Sequence, residues 1–126
     1  MNTTAAILAR SGAAGQLLDW LTAQSEQRGR VEEITWDHPD MFRVDLALSE
    51  RLTAIVFMVA ARRPDDRYRV VGRLAVFDRL DPSPEFHYLA ERGTRPTIVS
   101  DYPSAVTQMQ AGFGRLFAAL DKVPRD

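Results

Sequence analysis

Two adjacent runs in the middle of the chain dominate its pattern of apolar and polar residues. Residues 54–61 are apolar at every position, which predicts a central strand covered on both faces, although a buried helical segment fits the same length. Residues 68–77 alternate in part, so Arg69 and Arg73 face away from the apolar positions. With the polar residues 62–67 between them, the two runs predict a β-hairpin at the centre of a sheet.

Two shorter runs precede this hairpin. Residues 31–36 predict a first strand, and residues 42–48 alternate cleanly, with Arg43 and Asp45 pointing outward. Short polar connections separate all four runs, and short connections join antiparallel neighbours. The simplest arrangement is therefore a four-stranded antiparallel meander.

Segments with helical spacing of apolar residues lie before and after the predicted meander. Residues 13–27 have apolar positions at i, i+3, i+4 and i+7, which predicts an amphipathic helix ending near Gly29. Residues 104–123 predict a longer helix whose apolar stripe packs on the sheet, comprising Val106, Met109, Phe113, Leu116, Phe117 and Leu120. Gly112 and Gly114 are unfavourable within a helix, and a close approach of this helix to the sheet would explain both.

The segment between the meander and the last helix allows two interpretations. Ser83 and Pro84 resemble a helix start, so residues 84–92 predict a short helix, while a fifth strand across residues 86–89 is the alternative. Residues 97–100 predict a short strand or an extended link. The sequence therefore predicts one α+β domain of 126 residues, with a four- or five-stranded antiparallel meander, an N-terminal helix, a short helix after strand 4 and a long C-terminal helix on the sheet.

Composition narrows the class of protein. The chain is 45% hydrophobic and 26% charged with a net charge of −1, as in ordinary globular domains. It has no cysteine, which excludes disulfides and thiolate sites. No apolar run approaches the ~20 residues that span a bilayer, and the first ten residues lack the features of a secretory signal. We therefore expect a cytoplasmic protein without a membrane partner. Arginine supplies all basic residues except Lys122, which indicates GC-rich bacterial coding.

Few residues suggest catalytic chemistry. The two histidines, His38 and His87, are best interpreted as a solvated turn residue and as half of a helix-surface pair with Glu91. The chain has no phosphate-binding glycine loop and no serine in a nucleophile elbow, and no group of residues has metal-ligand spacing. The sequence accordingly predicts no catalytic residue, no metal and no cofactor.

The outward side of the central hairpin combines arginines with apolar residues, and an apolar sheet face needs a cover. The N-terminal helix or a second copy of the chain could provide it. We expect a non-catalytic adaptor that presents this face, or the arginine-rich hairpin, to an acidic surface of another protein or to a second copy. The predicted partner-binding residues are Arg62, Arg63, Arg67, Arg69, Val71, Arg73 and Phe77.

The outline of a helix, an antiparallel meander and a closing helix resembles small bacterial modules such as type III secretion chaperone-like proteins. Immunity proteins and secretion chaperones are examples of the adaptor class that we expect. This resemblance concerns architecture alone and transfers no residues. One alternative is a ligand-binding or enzymatic α+β barrel with a pocket lined by Trp36, Phe42, Met58, His87, Tyr88 and Asp101. Another is weak nucleic-acid binding through the hairpin, which the negative net charge and the aspartates among its arginines disfavour.

Overall fold

In the computed structural model, which describes residues 12–37, 41–80 and 88–124, two helices pack on one face of an antiparallel sheet. The helices are α1 (Ala13–Glu26) and α2 (Tyr102–Leu120). The strands are β1 (Arg30–Asp37), β2 (Met41–Ala47), β3 (Leu52–Arg62), β4 (Tyr68–Asp78), β5 (Tyr88–Gly93) and β6 (Thr97–Val99). The predicted α+β class, with a helix before the sheet and a long helix packed on it, is confirmed.

The sheet is a meander in which each strand from β1 to β5 pairs antiparallel with the next. The β3–β4 hairpin is its centre, and the register pairs Leu52 with Asp78 at one end and Arg62 with Tyr68 at the other. The short strand β6 pairs with β4 at residues 68–70, next to the part of β4 that pairs with β5. The predicted meander is therefore confirmed, and β5 and β6 extend it.

The predicted short helix over residues 84–92 is wrong where the structure describes it, because residues 88–92 belong to β5. The alternative strand across residues 86–89 is correct for residues 88 and 89, while residues 84–87 lie outside the described part. The edge of β4 explains why residues 88–92 form a strand and not a helix. Without a neighbour, β4 would leave backbone N–H and C=O groups unpaired, and β5 satisfies them from residue 73 to residue 77.

The core lies between the helices and one face of the sheet, here called the inner face. Every apolar residue predicted for the stripe of α2 is buried. On β3, buried and half-buried residues alternate, so the described part of the chain covers only one face of this strand, and not both faces as predicted. Both helices lie on the same side, so within residues 12–37, 41–80 and 88–124 no helical layer covers the second face of β3.

Helix α1 packs beside α2 on this inner face. Leu17 is fully buried in the core, and the Trp20 ring lies 6.3 Å from that of Phe117. The Nε atom of Arg28 donates to the Asp121 carboxylate at 2.9 Å, which links the end of α1 to the end of α2. Helix α1 therefore does not cover the opposite face of the sheet.

Helix α2 approaches the sheet most closely at Met58. A Cβ atom placed on Gly112 would overlap Met58 Cε and lie 2.8 Å from its Sδ atom. A Cβ atom on Gly72, which faces Met58 across the β3–β4 pair, would overlap the same sulfur. The Met58 side chain thus fills the space between two glycines. The predicted close approach is confirmed at Gly112 and wrong at Gly114, which has no heavy atom within 4 Å of that position.

Candidate protein-binding face of the sheet

The face of the sheet opposite the helices, here called the outer face, consists of the odd-numbered residues of β2, β3 and β4 together with the residues of β1 and β5 that pair with them. Alternation of side chains along each strand creates this division. The even-numbered apolar residues of β2, β3 and β4 face the helices and are buried, whereas the large apolar residues at odd positions are half-buried. Within the described residues, no helix packs on the outer face.

A continuous apolar patch crosses the three central strands of this face. The strand register places Met41, Val59 and Val71 side by side in one row, with Phe57 and then Ile55 in the next two rows along β3. All five side chains are half-buried, because neighbours in the sheet shield their sides while their tips remain in water. We call these five residues the apolar patch: Met41, Ile55, Phe57, Val59 and Val71.

Charged residues on the outer face form two adjacent rows of opposite sign. In the basic row, Arg43 and Arg73 lie on either side of Phe57. In the acidic row, one step further along the strands, the carboxylates are Glu33, Asp45 and Glu91, arranged around Ile55 and Ala75. Ion pairs join the rows within the chain. Arg43 Nε lies 2.8 Å from Asp45 Oδ1, and Arg73 pairs with Glu91.

The tip of the β3–β4 hairpin neutralises much of its own charge. Arg62 lies 2.7 Å from Asp66, and both Arg63 and Arg67 contact Asp65, at 3.3 and 3.2 Å. The backbone N–H of Arg67 donates to Asp65 and, with the two guanidinium groups, holds the pKa of that carboxyl below its ordinary value. Two aspartates therefore offset three of the arginines that the sequence assigns to partner binding.

The predicted partner-binding residues fall into two separate groups. Arg69, Val71, Arg73 and Phe77 lie together on the outer face along β4, whereas Arg62, Arg63 and Arg67 lie at the hairpin tip. Sequence reasoning missed most of the apolar patch. The uninterrupted apolar run of β3 conceals which residues share a face, and only the register with β2 and β4 shows it.

Three of the residues predicted for an internal pocket pack together in the core, and Asp101 lies apart from them at the start of α2. Trp36, Phe42 and Met58 belong to the packed core, with exposed fractions of 8%, 0% and 1%, and the rings of the first two stack with centroids 5.9 Å apart. Asp101 instead caps α2, where it accepts a hydrogen bond from the Ser104 N–H at 2.8 Å. This bond holds the pKa of Asp101 below its ordinary value. His87 and the side chain of Tyr88 lie outside the described part.

Comparison with known proteins leaves the fold and the geometry as the only guides to function. No family model, curated protein or solved structure matches this chain. Among residues 12–37, 41–80 and 88–124, no three or more His, Asp or Glu side chains are placed to hold a metal ion. In the same part of the chain, neither helix is long and apolar enough to cross a membrane.

Two surface clefts lie away from the apolar patch. One, of about 500 Å³, is bordered by charges of both signs, with Arg30, Glu50 and Arg79 among its lining residues. The other, of about 320 Å³, lies between the β5–β6 connection and α2. Its lining includes three arginines and two threonines: Arg92, Arg95, Arg115, Thr94 and Thr97.

Proposed function

We propose that this chain is a non-catalytic protein-binding module whose outer sheet face is covered by protein in the cell. The observation that supports the proposal is the apolar patch. Five large apolar side chains form contiguous rows on a face that the helices leave uncovered, while the inner face already holds a complete core. Contiguous apolar surface of this kind marks interaction sites on soluble proteins.

The shape of the face favours a protein over a small ligand. Small-molecule sites are concave and enclose most of their ligand. The apolar patch instead extends over β2, β3 and β4, a width of about 10 Å between the outer strand axes, and charged residues border it on two sides. A central apolar region with a charged border is the usual organisation of a protein–protein interface.

The biological setting proposed here is that of a small bacterial adaptor in the cytoplasm, comparable to immunity proteins or secretion chaperones. Its support is the architecture of a meander with two helices on one face, together with the arginine-rich composition and the lack of cysteine. The partner is a second copy of the chain or another protein with an acidic surface that meets Arg69 and Arg73.

Nothing in the geometry favours the hairpin tip as a nucleic-acid site or the helix–sheet interface as a ligand pocket. The arginines of the tip have carboxylates beside them, and binding to phosphates requires uncompensated positive charge. Trp36 and Phe42, two of the aromatic residues considered for a pocket, pack against each other in the core.

A photo-crosslinking experiment tests the proposal. A benzophenone amino acid replaces Phe57 in the apolar patch, or Gln110 on the exposed side of α2 as a control, in the organism that carries the gene. We expect protein adducts after irradiation from position 57 and few from position 110. Equal adduct formation at the two positions, or none at position 57, would contradict the proposal. The mass of each adduct reports whether the partner is a second copy or a different protein.

A further inference from the structure

We infer that the occupant of the outer face is a second copy of this chain, related by a two-fold axis that runs across the strands between the basic and acidic rows. The inference rests on the proposed function and specifies its partner. The observation behind it is that the two charged rows are adjacent, parallel and opposite in sign. A surface with this pattern is complementary to itself after one particular rotation, as a two-fold interface requires.

The register determines what this rotation brings together. An axis across the strands exchanges the rows and keeps each strand over its own counterpart, with the two running antiparallel. Arg43 of one copy then lies over Asp45 of the other, and Asp45 over Arg43. In the apolar patch, Phe57 lies over Ile55 of the other copy. Sheets that pack face to face with aligned strands are a common arrangement, with an angle of about −30° between them.

A second face-to-face arrangement can be excluded on charge. An axis parallel to β3 would keep each row over itself and exchange β2 with β4. Arg43 would then lie over Arg73 of the other copy, and two guanidinium groups would be brought into contact. Like charges in direct opposition across an interface are strongly unfavourable. Of these two axes, the one across the strands brings charges of opposite sign together.

The size of the face is sufficient for a reversible dimer. Four strands about 4.8 Å apart and four rows about 6.8 Å apart give roughly 500 Å² for each copy, or about 1,000 Å² for the pair. That is near the lower limit for a specific interface. Arg43 and Asp45 retain 43% and 24% of their side-chain exposure in the free chain, so they are only partly desolvated before association. We therefore expect dissociation in roughly the micromolar range.

Sedimentation velocity with charge-reversal variants tests the arrangement. The wild-type chain of 14.2 kDa should shift to about 28 kDa as its concentration rises. Asp45→Arg places a second arginine opposite Arg43 of the other copy, and Arg43→Asp places two carboxylates in opposition. Each variant alone should remain a monomer at concentrations where the wild type is dimeric. Asp19→Arg and Lys122→Asp change the net charge equally at exposed positions off the outer face and should still form dimers.

Mixing the two variants gives the decisive result. In the mixed pair, both carboxylates of Arg43→Asp meet both guanidinium groups of Asp45→Arg, so a heterodimer should form from two monomeric proteins. If both charge-reversal variants still form dimers on their own, or if their mixture stays monomeric, this axis is wrong. A wild type that stays monomeric at about 200 µM would overturn self-association. In that case, photo-crosslinked adducts between position 57 and other proteins would still support the proposed function. The absence of any adduct from position 57 would overturn the proposed function as well.

A separate observation concerns the arginines of the smaller cleft. Of the thirteen arginines in the described part of the chain, eight lie beside a carboxylate. Three of the other five line the cleft of about 320 Å³ between the β5–β6 connection and α2, namely Arg92, Arg95 and Arg115. Arg92 pairs with the inward-facing Leu74, so it lies on the side of the sheet where α2 packs.

We propose that this cleft binds a phosphate-bearing ligand. Three guanidinium groups carry more positive charge than one carboxylate can neutralise. They suit a phosphate, whose oxygens accept paired N–H bonds from arginine. Thr94 adds a donor, because its Oγ1 atom accepts a bond from the Gly72 N–H at 2.9 Å and keeps its own hydrogen for the ligand. The site is independent of the outer face.

Thermal denaturation with inorganic pyrophosphate at constant ionic strength tests this site. We expect a rise of a few degrees in the Tm of the wild type and its loss in the double variant R92Q/R115Q. The matched control R30Q/R69Q removes two other arginines without an ion-pair partner in the described part and should keep the rise. Without ligand, R92Q/R115Q should be at least as stable as the wild type, because it relieves repulsion between like charges. Equal shifts in all three proteins, or no shift in the wild type, would overturn the site.

Discussion

Two glycines of the same helix, separated by one residue, should respond in opposite directions to the same substitution. Both lie within α2, and neither has a positive φ, so alanine suits the backbone at both positions. They differ in their surroundings. Gly114 faces open space, whereas a Cβ on Gly112 would overlap the end of the Met58 side chain. Gly112→Ala and Gly114→Ala therefore separate helix propensity from packing.

The magnitudes follow from these surroundings. Alanine is more favourable than glycine in a helix by about 0.5–1 kcal/mol, so Gly114→Ala should raise Tm by about 2–5 °C. Gly112→Ala gains the same helix propensity, but its methyl group forces the Met58 side chain to move. That side chain is 1% exposed and has Gly72 on its other side, so it has no free space to enter. Overpacking of this kind costs about 1–3 kcal/mol, which makes Gly112→Ala destabilising overall.

Urea denaturation of the two variants measures both effects, and Met58→Ala provides a double-mutant cycle. Truncating Met58 should itself lower the free energy of unfolding by about 2–4 kcal/mol, since it leaves a cavity in the core. In that background Gly112→Ala should become neutral or stabilising, because its new methyl group enters the vacated space. If Gly112→Ala stabilises the wild-type protein as much as Gly114→Ala does, the explanation by close approach is wrong.

Three further substitutions test other parts of the structure. Gly72→Ala should destabilise by about 2–4 kcal/mol in urea denaturation, more than Gly112→Ala, because its Cβ would also overlap the backbone oxygen of Phe57. The lowered pKa of Asp101 stabilises the fold above the ordinary value of 3.8, and this contribution is lost as pH falls through the folded-state pKa. Asp101→Asn, which keeps an acceptor for Ser104, should thus show a smaller loss of stability between about pH 6 and about pH 2 than the wild type; an equal loss would contradict the cap. Trp36→Phe should change stability by less than about 1 kcal/mol in urea, since it removes a buried Nε1–H that has no partner among the described residues while it loses apolar contact. The neighbouring Phe42→Ala should lose about 3–5 kcal/mol, and similar losses for both variants would refute this reasoning.

Local patterns in the sequence predict the meander and its two flanking helices because those signals depend on nearby residues. The apolar run of β3 shows where prediction fails. Its composition suits a strand covered on both sides, yet which side is covered depends on where α2 packs, and that is a contact between distant segments. The helix prediction for residues 88–92 is wrong for the same reason. Helix-start signals are local, whereas the free edge of β4 that recruits β5 is a property of the sheet.

The candidate site is harder to predict from the sequence than the fold, because it depends on the register between strands. Alternation in residues 42–48 is enough to place Arg43 and Asp45 outward, as the structure confirms. The opposition of two charged rows also involves Glu33, Arg73 and Glu91, which requires the relative register of five strands. That register includes the irregularity between Val31 and Glu33 in β1, which brings the Glu33 carboxylate beside Asp45. No local pattern encodes these offsets.

The two faces of β3 have different consequences for the chain. The inner face is explained by folding, since the buried residues of β2, β3 and β4 meet the stripe of α2 and the core needs nothing more. The outer face is not explained in this way. A strand that only had to close one core could place threonine or charged residues at positions 55, 57 and 59, as antiparallel sheets with one wet face commonly do. Large apolar residues at these positions leave surface that would favour association, and the charged rows beside them would restrict the orientation of a partner. Apolar residues to hold a partner and charges to orient it are what an interface requires, and neither is needed by the folded monomer.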